Sequence, residues 1–162
     1  MMHLIVGNTG SGKTTYANQL KSNTNGILFS IDTWNNTLFI PDKKPKHSLH
    51  WFLERIERSE TLILDLIHQL EQAHVDSILD LGFSKIAHRQ KFRDFAQKNQ
   101  YKYSMHFLDV PKAIRYKRVM QRNTEQGATF EFKVSETDFD FMESWFERPT
   151  QGELENTRII TN

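Results

Sequence analysis

The chain has no cysteine. Disulfides, thiolate nucleophiles and cysteine-ligated zinc are thereby excluded, and a reducing cytoplasm is the compartment this composition fits. Net charge is nearly absent too: 21 lysines and arginines face 20 aspartates and glutamates, a formal +1. Such a balance creates no strong draw towards nucleic acid or a membrane surface. No apolar run reaches the length that crosses a bilayer. Polar Asn8 and Lys13 follow the first apolar run at once, so no secretory leader is expected. Repeats, low-complexity tracts and a clear linker are missing as well. What is present, 38% apolar and 25% charged residues over 162 positions, suits one globular domain with a sizeable core.

One stretch organises the rest. Gly7-Asn8-Thr9-Gly10-Ser11-Gly12-Lys13-Thr14 follows the apolar run Leu4-Ile5-Val6 and leads, through Thr15, into a helix-compatible segment. It reads G-x-x-x-x-G-K-T in a strand-to-helix setting. Glycines let the backbone turn tightly so that its N–H groups point inward at an anion. The following helix adds the positive end of its dipole. Lys13 would bring an ammonium to the β- and γ-phosphates, and the Thr14 hydroxyl would sit on Mg²⁺. A nucleoside triphosphate is the expected ligand.

Beyond that helix, Ile27–Ile31 reads as a buried second strand closing on Asp32. Residues 33–47, polar and holding Pro41 and Pro45, predict an irregular segment. Apolar residues from Leu49 to Leu70 recur at helical spacing, predicting a long amphipathic helix over 48–73. Val75–Leu81 is the third strand, and Ser84 can cap a helix running to about Asn99. Tyr103–Val110 is the fourth strand, and Pro111 suits the first turn of the next helix. Residues 127–134 alternate weakly, as a small strand or excursion. Glu136–Phe146 predicts a further helix, and residues 158–161 a fifth strand. Strands alternating with helices imply an α/β fold, with right-handed crossovers and a parallel sheet covered on both faces.

Ligands of such sheets bind beyond the carboxyl ends of the strands, where the glycine-rich turn, Asp32 and Asp80 converge. Asp80, after Ser77-Ile78-Leu79, has the form of an acid that holds Mg²⁺ through water; a turn-capping aspartate is the plain alternative. Asp32 can take the proton of a hydroxyl attacking the γ-phosphate, or be a solvated or metal-ordering carboxylate. Arg115, Arg118 and Arg122, spaced three and four apart, share a helix face. They read as a lid closing guanidinium groups over a triphosphate, with Arg118 and Arg122 the contacts, or as a solvated stripe. Arg89 is a weaker candidate for substrate contact. His47 and His50 read as surface histidines and Trp34 as packing or a stacking ring. Phe139, Phe141, Trp145 and Phe146 read as packing for the last helix, and Asp138 and Asp140 as solvated.

The combination resembles the small P-loop kinases of the zeta toxin, chloramphenicol phosphotransferase and polynucleotide kinase group. It looks closer still to short bacterial proteins labelled AAA-family ATPases within that group. The segments that carry the likeness are Gly7–Thr14, Ser30-Ile31-Asp32, residues 78–83 with Arg89, residues 108–111 with 118–123, and residues 141–149. The resemblance implies a three-layer P-loop NTPase fold with sheet order 2-3-1-4-5 and an arginine-bearing lid over about residues 112–135. It also implies ATP as donor, Asp32 as acceptor-activating base, and Arg118 and Arg122 in the lid. Polynucleotide kinases place an arginine shortly after the second-strand aspartate, whereas here Thr33-Trp34-Asn35-Asn36 follows and the next arginine is Arg55. Three functions fit: a kinase with a small-molecule or nucleotide-like acceptor, a nucleotide switch or slow ATPase acting on a protein, and a nucleic-acid 5′-hydroxyl kinase.

Overall fold

The computed structural model describes residues 1–45, 48–126, 133–155 and 157–161. Five strands, β1 (Met2–Val6), β2 (Ile27–Ser30), β3 (Ser77–Asp80), β4 (Tyr103–Leu108) and β5 (Thr157–Ile160), form one sheet. All pairs are parallel and the order is β2-β3-β1-β4-β5. Helices α1 (Lys13–Thr24), α2 (Ile31–Leu38), α3 (Leu49–Gln72), α4 (Ile86–Lys98), α5 (Lys112–Glu125), α6 (Glu136–Trp145) and α7 (Gln151–Leu154) connect them.

Strand alternation builds two cores. Met2, Leu4 and Val6 join Ile63, Ile67, Phe92 and Ala96 on the face covered by α3 and α4. Ile5 and Ile78 meet Ala17 and Leu108 on the α1 face. The central strand is buried throughout, as expected for a parallel sheet with helices on both sides.

Three expectations are corrected. Asp32 does not end a strand: the chain enters α2 at Ile31, with Ser30 accepting a bond from Thr33 N as N-cap. Serine followed by an acid in the first turn is a helix start, and it claims residues assigned by sequence to strand and irregular loop. A 3-10 turn over Ile40–Asp42 takes more of that segment. Ser84 caps nothing; Lys85 is the N-cap of α4, and the Ser84 hydroxyl donates to Gly82 O. Asp138 is exposed, as its solvated reading requires, and also closes a capping box with Ser135 that starts α6. The expected strand or excursion over 127–134 lies largely outside the described residues, as does His47. His50 is exposed.

Beneath the α1 face, Tyr16 Oη, His106 and His3 line up towards Asp76, at 2.8, 3.0 and 3.1 Å. Burial, with His3 and Arg158 nearby, pushes the His106 imidazole down to about 4 from 6.5. The unfolded chain takes up this proton near 6.5 and the folded chain only near 4. Stability is therefore complete above that window and falls as pH drops through it, by about 3 kcal/mol. Urea midpoints at pH 7 and pH 5 should show about 2 kcal/mol of this loss, and His106→Asn should flatten it.

Candidate active site

Three strand ends open on one edge, and the turn after β1 is shaped for an anion. Gly10 and Gly12 take φ of +78° and +92°, a region closed to most side chains. A Cβ on Gly10 would lie 2.5 Å from Arg115 O, so the turn packs directly on α5. Ser11 N donates to Asn8 O at 3.1 Å, and α1 begins at Lys13 with its first amides turned to the loop.

The loop is held from behind by two helices. Arg115 Nη1 donates to Thr9 O at 3.2 Å, and its guanidinium makes a two-pronged pair with Glu143 of α6 at 2.8 and 2.9 Å. Asn8 Nδ2 donates to the same carboxylate at 3.1 Å. Arg115 is buried and committed to this clamp, so the stripe read from its spacing divides. Arg115 braces the loop, while Arg122 faces the cleft and Arg118 lines an adjoining cavity with Gly10, Gly12 and Thr15.

The cleft, about 350 Å³, is lined by Gly7, Asn8, Thr9, Gly10, Gly12, Lys13, Thr14, Thr15, Asp32, Asp80 and Arg122. Ser11, a loop residue expected to bind a ligand, is fully buried inside the turn, its hydroxyl unpartnered. Thr14 Oγ1 donates to Asp80 Oδ2 at 3.0 Å. Burial pushes the Asp80 carboxyl up, opposed by Lys13 and the Thr14 bond. Burial pushes the Lys13 ammonium down; Asp80 and Asp32 oppose it, and Arg122 and Arg115 reinforce it. Arg122 Nε is a buried donor without a partner. A desolvated ammonium beside an unanswered guanidinium N–H is a site that gains from an anion. The adjoining oxygens of Thr14 and Asp80 are donors suited to Mg²⁺.

Arg89 is not in the cleft. It is fully buried, bonded to Glu153 at 2.7 and 3.0 Å and to the carbonyls of Phe83 and Glu147. Trp34 packs edge-on against Phe29 in the main core. The aromatic set of α6 also divides: Phe139 is buried and Phe146 stacks near Phe107, but Phe141 and Trp145 are exposed and line the cleft. Their spacing held the signal, because positions 139, 142 and 146 turn to the protein and leave 141 and 145 on another face. Asp140 pairs with Lys112 at 3.1 Å.

Residues 2–149 match the AAA domain family. The chain belongs to it. No curated protein matches. Among solved structures, Chaetomium thermophilum Kti12 in complex with ADP-AlF3 is 16% identical with a TM-score of 0.67, over 99% of this chain and 89% of that one. The Mycobacterium tuberculosis APS kinase CysC, in complex with AMPPNP and APS, is 15% identical at 0.64, over 99% and 87%. A gluconokinase from Sinorhizobium meliloti is 14% identical at 0.63, over 99% and 81%. At these identities the likeness is one of fold: a P-loop α/β domain with sheet order 2-3-1-4-5. Among the described residues, no helix is long and apolar enough to cross a membrane.

Proposed function

We propose that the chain is an ATP-dependent phosphotransferase acting on a hydroxyl of a small-molecule or nucleotide-like acceptor, within one domain spanning residues 1–162. The observation that carries this reading is the meeting of Lys13, Thr14, Asp80, Asp32 and Arg122 in a single cleft. A nucleotide site alone needs the first three; a second carboxylate across the cleft gives it somewhere to send a proton. The fold likeness to a gluconokinase and an APS kinase supports the same class.

The loop amides of residues 7–15 and the Lys13 ammonium hold the phosphates. Thr14 directly and Asp80 through water would hold Mg²⁺, which neutralises charge on the β- and γ-oxygens when bound. Asp32 orients the acceptor hydroxyl and takes its proton as the new O–P bond forms and the γ-phosphorus parts from the β-bridging oxygen. Arg122 and Arg118 close over the donor from α5, the beginning of the expected lid at 112–135. Excluding water there keeps transfer ahead of hydrolysis.

The test is ADP release from Mg-ATP, alone and with pools of nucleosides, sugars and 5′-hydroxyl oligonucleotides. A pool that raises turnover in the wild type but not in Asp32→Asn is the expected result. Slow turnover indifferent to every pool and to Asp32→Asn would sink the kinase reading in favour of a nucleotide switch.

A further inference from the structure

Phe141 and Trp145 stand out once the packing of α6 is accounted for. The helix is anchored by its capping box and by Phe139, 1% exposed. One turn apart on another face, Phe141 and Trp145 are 59% and 48% exposed. Their rings stack with centroids 5.7 Å apart and planes at 26°. Lys85 Nζ lies 4.0 Å from the Trp145 centroid and is itself tied to Glu147 at 3.2 Å, so the indole is held in place. Two large rings fixed open to solvent at the mouth of a cleft are a stacking surface awaiting a ligand.

The direction of the donor decides which ligand that is. A second cavity of about 330 Å³, lined by Arg118, Gln121 and Glu125 of α5, shares Gly10, Gly12, Thr15 and Arg122 with the first. A triphosphate seated on the loop amides therefore has room for its nucleoside on the Arg118 side. Asp32, Ser84, Phe141 and Trp145 line the other cavity and not this one. The rings face the acceptor. Among the described residues, the cations lining that cleft are Lys13 and Arg122, and in the kinase reading the donor phosphates take both. Asp32 and Asp80 add negative charge there. An acceptor bringing its own phosphate or carboxylate would meet repulsion from those carboxylates, and the cation beside the shelf, Lys85, is already paired with Glu147.

Resting on the kinase reading above, we infer that Phe141 and Trp145 are the acceptor-binding shelf, and that the acceptor is an uncharged alcohol with a flat unsaturated ring, of the nucleoside or benzylic alcohol class. The ring lies on the shelf and its hydroxyl reaches Asp32. Saturated sugars offer the shelf no matching π-face, and anionic acceptors are disfavoured by the carboxylates.

The experiment is calorimetry on the full chain with Mg-AMPPNP already bound. It is titrated with uridine and benzyl alcohols, with glucose and inositol, and with uridine monophosphate and gluconate. Phe141→Leu and Trp145→Leu keep apolar bulk without a ring, and unchanged melting establishes that they are folded. Binding of a flat neutral compound, weakened about tenfold or more in either variant, is expected. The affinity for AMPPNP should stay at the wild-type value. Preference for a saturated or anionic compound, no binding of any flat ring, or a loss confined to AMPPNP affinity each overturns the shelf. Flat rings that bind but never receive a phosphoryl group would leave the shelf standing and remove the kinase reading instead.

Discussion

Asp32→Asn is expected to lower kcat for phosphoryl transfer by about 10²–10⁴-fold, the range for removing a general base. The apparent KM for ATP should hardly move. Asparagine keeps the size of the side chain and a carbonyl oxygen for the acceptor hydroxyl, but it has no basic oxygen to receive the proton. Asp32 is exposed in the first turn of α2, so the exchange disturbs no buried packing, and stability should fall only by the about 0.3–1 kcal/mol that a carboxylate contributes at a helix N-terminus. The same experiment separates the base role from metal ordering. If Asp32 mainly ordered Mg²⁺, the variant would shift the Mg²⁺ concentration needed for half-maximal rate, and excess Mg²⁺ would restore turnover. A kcat loss that persists at saturating Mg²⁺ assigns the proton to Asp32.

The sheet and the phosphate loop were legible because their signals are local. A short apolar run, three glycines in six residues and Lys13-Thr14 fix strand, turn and helix together, and the burial of β1 follows from alternation between covered faces. The strand order came from family likeness, since nothing in one sequence says which parallel strands are neighbours. The arginines are less legible for a physical reason. Arg115, Arg118 and Arg122 share spacing, but Arg115 is 5% exposed because Glu143, the Thr9 carbonyl of the distant loop and the nearby Val110 carbonyl answer its charge. Arg89 is buried for the same reason, with Glu153 on a four-residue helix that no periodicity announces. Periodicity reports a face and cannot report which partner waits on it. The aromatic residues of α6 failed in the opposite sense. Hydrophobicity suggests burial for all four, while their spacing sets Phe141 and Trp145 on a different face from Phe139 and Phe146.

Lys13→Met is expected to lower kcat by about 10²–10³-fold, as for loss of a donor aimed at developing charge. Nucleotide affinity should fall about tenfold to a hundredfold, since hydrogen bonds to charged groups contribute ~1.5–3 kcal/mol. Methionine preserves most of the apolar stem, so the loss is of charge and not of bulk. Without nucleotide, Lys13 reaches only as far as Asn8 O, at 3.4 Å, and burial pushes its ammonium down. The cation is held under strain that a triphosphate relieves, which ties its value to the bound state. A second consequence follows at Asp80. Lys13 is the main influence holding down a carboxyl that burial pushes up, so removing it drives that carboxyl further up and favours the protonated form. Lys13→Arg should restore charge without restoring rate, because a planar guanidinium cannot occupy the space of a compact ammonium in a turn packed against α5. Turnover and nucleotide titrations on both variants check each step; a Met variant with wild-type turnover and nucleotide affinity would remove Lys13 from the donor site.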